Sequence, residues 1–162
     1  MNADRLVEVI KARKDPPRYP EDPKGVRNRN PGNIETGQGF RGEVGSDGRF
    51  AKFDTDFNGI RAIGVDLLTK YYRGLVTVRS IISTWAPPGE NNTEAYIHAV
   101  CMELGVLAST WLHLPESDVL AKLVTAIIRH ENGGTQWYDK DQIAAACADA
   151  QYSKRIRGGK DD

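Results

Sequence analysis

Apolar residues recur at three-and-four spacing over most of the chain, and the first third is the exception. Residues 3–13 place Leu6, Val7 and Ile10 on one face and predict a short helix. The stretch that follows, DPPRYPEDPKG, holds four prolines in nine residues and reads as an extended linker. From Gly25 the run RNRNPGNIETGQGFRGE is crowded with Asn, Gly and Pro, which favour turns. FRGEV, GSDG and RFAKF then form a predicted hairpin, with Phe50 and Phe53 alternating imperfectly against Arg49 and Lys52.

Beyond the hairpin the period becomes helical. Asp54, Thr55 or Asp56 can cap a helix carrying Ile60, Ile63, Leu67, Leu68 and Tyr71. A second helix carries Val78, Ile81, Ile82 and Trp85 and stops at Pro87 and Pro88; a third starts at Asn92 or Thr93 and ends at Gly105. A fourth begins between Pro115 and Ser117, carries Leu120, Leu123, Val124, Ile127 and Ile128, and ends before Gly133 and Gly134. A fifth spans Lys140 to roughly Tyr152. The expectation is a mostly helical α+β domain over 25–152. A helix and Pro-rich linker precede it over 1–24, and a polar, glycine-bearing tail expected to be mobile follows over 153–162.

Composition narrows the classes. With 162 residues, 40% hydrophobic and 27% charged, the chain suits one globular domain and excludes a fully disordered one. Its 22 basic and 22 acidic residues balance, which weighs against a dedicated nucleic-acid binder. No segment approaches the roughly 20 apolar residues of a membrane span, and the charged amino terminus lacks the apolar core of a secretion signal. Cys101 and Cys147 both fall in helical patterns among apolar residues, so they read as core thiols of a protein made in a reducing compartment.

One residue breaks the pattern. The apolar stripe of the fourth helix continues at position 131, which is Glu131. Partial burial and the negative end of the helix dipole both disfavour its charged form. A glutamate kept protonated near neutral pH is what a general acid needs to protonate a poor leaving group such as a glycosidic oxygen. Gly133 and Gly134 leave room beside it for a bulky ligand. The plainer alternative is a frayed helix end with Glu131 in water or paired with Arg129 or a distant arginine.

Other candidates carry the same double reading. Glu90, in the polar loop WAPPGENNTEAY, is the alternative catalytic carboxylate or a solvated loop residue. Asp54 and Asp56 read as caps, Glu43 and Asp47 as hairpin residues of which one could supply a second carboxylate. Asn30, Asn33 and Asn91 offer amides, and Tyr96, Trp137 and Tyr138 aromatic faces, of the kinds a polar sugar strand demands. Trp85 reads as core and His130 as a flank of Glu131. His98, His113 and His130 are scattered without a zinc spacing, and no nucleophile elbow, Walker loop or dinucleotide fingerprint appears.

GVRNRNPGNI, DGRFAKFDTDFNGIRAI, WAPPGENNTEAYI and IIRHENGG together resemble small phage-encoded proteins with a lysozyme-like fold, over about residues 25–150. Those are peptidoglycan-degrading enzymes, virion-associated or of the endolysin type. In lysozyme-like transglycosylases a helix-terminal glutamate precedes a β lobe containing a segment like NPxNI. Here NPGNI and RFAKF come first and IIRHENGG last, so the resemblance implies a circularly permuted order with Glu131 brought back beside the β lobe. It also implies cleavage of the MurNAc–GlcNAc strand by a glutamate acid, without metal or organic cofactor. Hydrolysis and transglycosylation both stay open, the former needing a second carboxylate. Export would need a holin-type pore or carriage in a virion. The competing class is a non-catalytic virion or tail protein that binds peptidoglycan; a toxin with the same chemistry is the third.

Overall fold

The computed structural model describes residues 2–116 and 118–156. Seven helices and one hairpin appear among them: α1 (Ala3–Lys11), α2 (Lys24–Arg27), β1 (Glu43–Ser46), β2 (Ala51–Phe53), α3 (Asp56–Tyr72), α4 (Val78–Trp85), α5 (Thr93–Leu104), α6 (Val119–Glu131) and α7 (Lys140–Ile156). The protein is mostly helical α+β. Its two strands pair antiparallel, Glu43 with Phe53 and Ser46 with Ala51, with a bulge between Glu43 and Gly45.

Helix starts follow local chemistry. The Thr55 hydroxyl accepts from the Asn58 amide at 3.1 Å and caps α3; Thr77 and Ser80 close a reciprocal capping box on α4; Asn92 accepts from Ala95 at α5. Gly105 ends α5 at φ 69°, a left-handed turn glycine makes without strain. Ser117, one expected boundary of α6, lies outside the described residues. The four-residue α2 is too short to register as a period.

Helix α3 is the centre of the core. Ile60, Ile63, Leu67 and Leu68 on it are fully buried, and it packs on α7, α6 and β2. Arg61, also fully buried, donates to Asp149 and Ser153 of α7 at 3.0 Å each. Because Ser153 and Lys154 are buried, α7 runs on to Ile156, and the tail expected to be mobile is helical as far as that residue. Residues 157–162 lie outside the described residues. Cys147 is buried and Cys101 half-buried, both as free thiols; burial pushes the Cys147 thiol up to about 12.

The first 24 residues lie on this body. Ile10 of α1 is buried against it, with α1 packed on α7. The proline-rich stretch is extended as expected and tied down by charge: Asp15 accepts from the Asp56 amide at 2.9 Å, and Arg18 pairs with the Asp56 carboxylate. Arg29 reaches the same carboxylate at 3.1 Å. Asp56 is therefore not the helix cap; it is a buried anion between two arginines.

Residues 28–34 form the loop that later meets Glu131. A side chain at Gly59 would begin 1.8 Å from the Arg29 carbonyl oxygen, so only glycine lets α3 approach this loop. Inside the loop, Asn30 is wholly buried. Its amide donates to the Ile34 and Ala51 carbonyls at 2.9 Å and accepts from the Ile34 N–H at 3.0 Å. The expected sugar-binding Asn30 is thus a brace between loop and β2.

Candidate active site

Glu131 is the last residue of α6, and the turn after it is pinned to the 28–34 loop. The Asn132 side-chain amide donates to the Pro31 and Ile128 carbonyls, each at 2.8 Å. Gly134 donates to the Arg129 carbonyl at 2.7 Å, closing the helix with Gly133 and Gly134 both at positive φ. Glu131 is half-buried and opens into a cleft of about 450 Å³. Its floor and walls include Gly32, Asn33 and Ile34 from the loop, Trp85 from α4 and Phe50 from the hairpin.

Burial pushes the Glu131 carboxyl up to about 7, and side-chain hydrogen bonding with Asn33 and the Trp85 indole pulls it partly back. Among the described residues no guanidinium pairs with it: Arg129, the neighbour that could have, turns instead to Glu103 at 2.7 Å and to Gln136. Behind Glu131 lies Tyr96, fully buried, its ring covered by His130 at 3.8 Å between centroids. Burial first, then the charge of Glu131, holds the Tyr96 phenol protonated well above its ordinary range.

The remaining cleft charges come in pairs. Arg49 of the hairpin loop donates to Glu90 at 2.7 Å and to Glu35 at 3.3 Å, its guanidinium over the Phe50 ring. Lys70 pairs with Asp66 one helical turn away at 2.6 Å, with its ammonium 5.5 Å from the centre of the Trp85 ring. Glu90, the alternative acid, sits exposed at the rim and bound to a cation, an environment unlike that of Glu131.

Of the residues singled out from sequence, Glu131, Asn33, Asn91 and Glu90 line one cleft. Tyr96 stands behind it rather than in it. Trp137 packs against the core away from the lining residues, and Tyr138 is buried beside Arg18, 5.6 Å from its ring. Neither presents a face to the cleft. Glu43 accepts from the Gly37 and Gly39 amides and holds the loop before the hairpin. Asp47 accepts from the Arg49 and Phe50 amides, which lower its carboxyl far below the usual range. Both are turn residues. Trp85, expected in the core, reaches both core and cleft. Sequence reasoning passed over Glu35, Arg49, Asp66 and Lys70 as site residues. Their shared signal was weak, since Asp66–Lys70 spacing marks any exposed helix pair.

No family model matches the chain. Over 136 residues it is 35% identical to Protein P5 of Pseudoalteromonas phage PM2, an alignment covering 79% of this chain and 82% of the phage protein. The chain belongs to the family of that phage protein. It is a phage-related protein, and among the described residues no helix is long and apolar enough to cross a membrane.

Proposed function

We propose that the protein is a peptidoglycan-degrading glycosidase that cuts the MurNAc–GlcNAc strand, with Glu131 as general acid. One observation carries this reading: a carboxyl group raised to about 7 by burial, with no cationic partner among the described residues, opens from a helix end into a polar cleft. Such a group is protonated often enough near neutral pH to give its proton to a glycosidic oxygen, and as a carboxylate it can take one back. Trp85 and Phe50 bring aromatic surface to the cleft beside Lys70 and Arg49, while Asn33, Gln38 and Asn91 bring amides for hydroxyl and acetamido groups.

The reading takes the domain as lysozyme-like in circularly permuted order. Its support is spatial. The glutamate-bearing helix end, last in sequence, lies against the NPGNI loop and faces the hairpin residue Phe50 across the cleft. For hydrolysis, a second carboxylate would come from Glu35, Asp66 or Glu90; for transglycosylation none is needed, since the muramyl hydroxyl can close on the anomeric carbon as Glu131 recovers the proton. The enzyme would act on the periplasmic wall, reached through a holin-type pore or from a virion.

Turbidity clearing of purified sacculi tests the proposal. Wild type should clear, and Glu131→Gln should lose at least roughly a hundredfold in rate. Anhydro-muramyl ends among the fragments would mark a transglycosylase, reducing ends a hydrolase. Equal clearing by both proteins removes Glu131 from the mechanism. Binding to sacculi without clearing by wild type would instead favour a non-catalytic virion or tail component.

A further inference from the structure

Asn33 holds a conformation that glycine would hold at lower cost. Its φ is 49°, in the left-handed region, and its N–H donates to the Asn30 carbonyl at 3.0 Å. A side chain kept at such a position needs a reason. The other non-glycine residue at positive φ, Arg29, spends its side chain on Asp15 and Asp56. That of Asn33 stands between Glu131 on its cleft side and Gly25 and Asn132 on its inner side.

The inner side is not satisfied. Asn33 Oδ1 and Asn132 Oδ1 are both buried without a hydrogen-bond donor, and both lie within 3.0 Å of the point where a Gly25 side chain would begin. Asn132 cannot relieve this by turning over, because its Nδ2 already serves two carbonyls. Asn33 can. As it stands, its N–H faces a Glu131 carboxylate, which only accepts. Rotated half a turn, its oxygen would face Glu131 and its N–H would point toward the side of Asn132 Oδ1, the one orphaned oxygen left there. A protonated carboxyl, which has a hydrogen to donate, matches that second arrangement.

We propose that Asn33 is the positioning residue of Glu131, its side-chain amide turning over as the carboxyl group gains or loses its proton. Each protonation state then finds a complementary partner, and the carboxyl stays aimed into the cleft through both halves of a proton transfer. Other groups around the pair are already engaged: Tyr96 and His130 stack on each other, Asp66 holds Lys70, and Glu35 and Glu90 hold Arg49. The catalytic consequence rests on the glycosidase reading; the structural relation does not.

Side-chain amide NMR of the unmodified protein tests it without any assay of activity. The two Asn33 N–H signals should move with the midpoint at which the Glu131 carboxyl titrates, and should stay still over that range in Glu131→Gln. Signals that ignore the Glu131 titration in wild type overturn the proposal. Asn33→Gly keeps the backbone φ while deleting the amide. It should lower kcat roughly tenfold or more, with KM little changed and no loss of thermal stability; an unchanged kcat also overturns it. If wild type clears no sacculi while the amide signals track Glu131, the positioning relation stands and the glycosidase reading falls.

Discussion

Two buried carboxylates sit at opposite ends of the loop region, and the protein treats them differently. Asp56, almost fully buried, is given Arg18 and Arg29 at hydrogen-bond distance and the Asp15 carboxylate beside them. Burial pushes its carboxyl up, and the two guanidiniums pull it back only in part, so the net direction is upward. Glu131 is less deeply buried and, among the described residues, is given amide and indole N–H groups but no cation. Asp56 is given cationic partners where it stands. Glu131 has no cation paired with it among the described residues and opens to a cleft, the setting the proposed acid role requires.

The largest effect that would sharpen this contrast is the removal of Asp56. Asp56→Ala leaves Arg18 and Arg29 in a partly buried setting with one carboxylate fewer, which should cost about 3–5 kcal/mol. It should also loosen the 12–23 segment from α3, because Arg18 of that segment pairs with Asp56 and Asp15 accepts from its amide. Urea unfolding would give the first quantity, and limited proteolysis within 12–23 the second. A loss of under about 1 kcal/mol would mean that the arginines find other partners, and the comparison between the two acids would fail on its structural side.

Glu131→Gln should move stability the other way, and only at higher pH. The folded carboxyl at about 7 lies above its ordinary value of 4.5, so the native state holds its proton over a range in which the unfolded chain has released it. Wild-type stability is therefore unaffected below about pH 4.5, falls as pH rises toward 7, and stays reduced above it. At about pH 8 the glutamine variant should be the more stable protein, by on the order of 2 kcal/mol, and the two should converge at low pH. Paired melting curves across pH check this. A glutamine variant less stable than wild type at every pH would show that the carboxylate is compensated after all.

The two acids also differed in how far the sequence disclosed them. Glu131 stands out because it continues an apolar stripe at helical period, a local feature that needs no knowledge of the rest of the chain. Asp56 looks like one of three cap candidates before α3, since its burial depends on Arg18 and Arg29, 38 and 27 positions away. The same distinction runs through the fold. Helices α3 to α7 follow from periodicity and caps, whereas the cleft wall of Glu35, Arg49 and Glu90 joins three segments that only tertiary structure brings together. Asn30 and Asn33 illustrate it most closely. Both are asparagines of one turn-rich motif, yet one is fully buried as a brace and the other opens to the cleft, a split fixed by which of them β2 happens to cover.

The smallest expected effect concerns the cleft mouth. Arg49 and Glu90 bridge the hairpin loop and the segment between α4 and α5, but both side chains are more than half exposed, at 55% and 68%. An ion pair in that setting is screened by water and salt, and measured pairs of this kind contribute less than about 1 kcal/mol. Glu90→Gln should therefore change unfolding free energy by under about 1 kcal/mol, and any difference should vanish as salt is raised. If Glu131 is the acid and the second carboxylate, where one is used, is Glu35 or Asp66, Glu90→Gln should keep most of the clearing rate on sacculi. A loss as large as that expected of Glu131→Gln, in a protein equally stable, would bring the rim carboxylate into the chemistry, as the general acid if Glu131→Gln still clears and as the second carboxylate if it does not. The former outcome would also dissolve the contrast between carboxylates with and without a cation, because the rim residue is the one bound to an arginine.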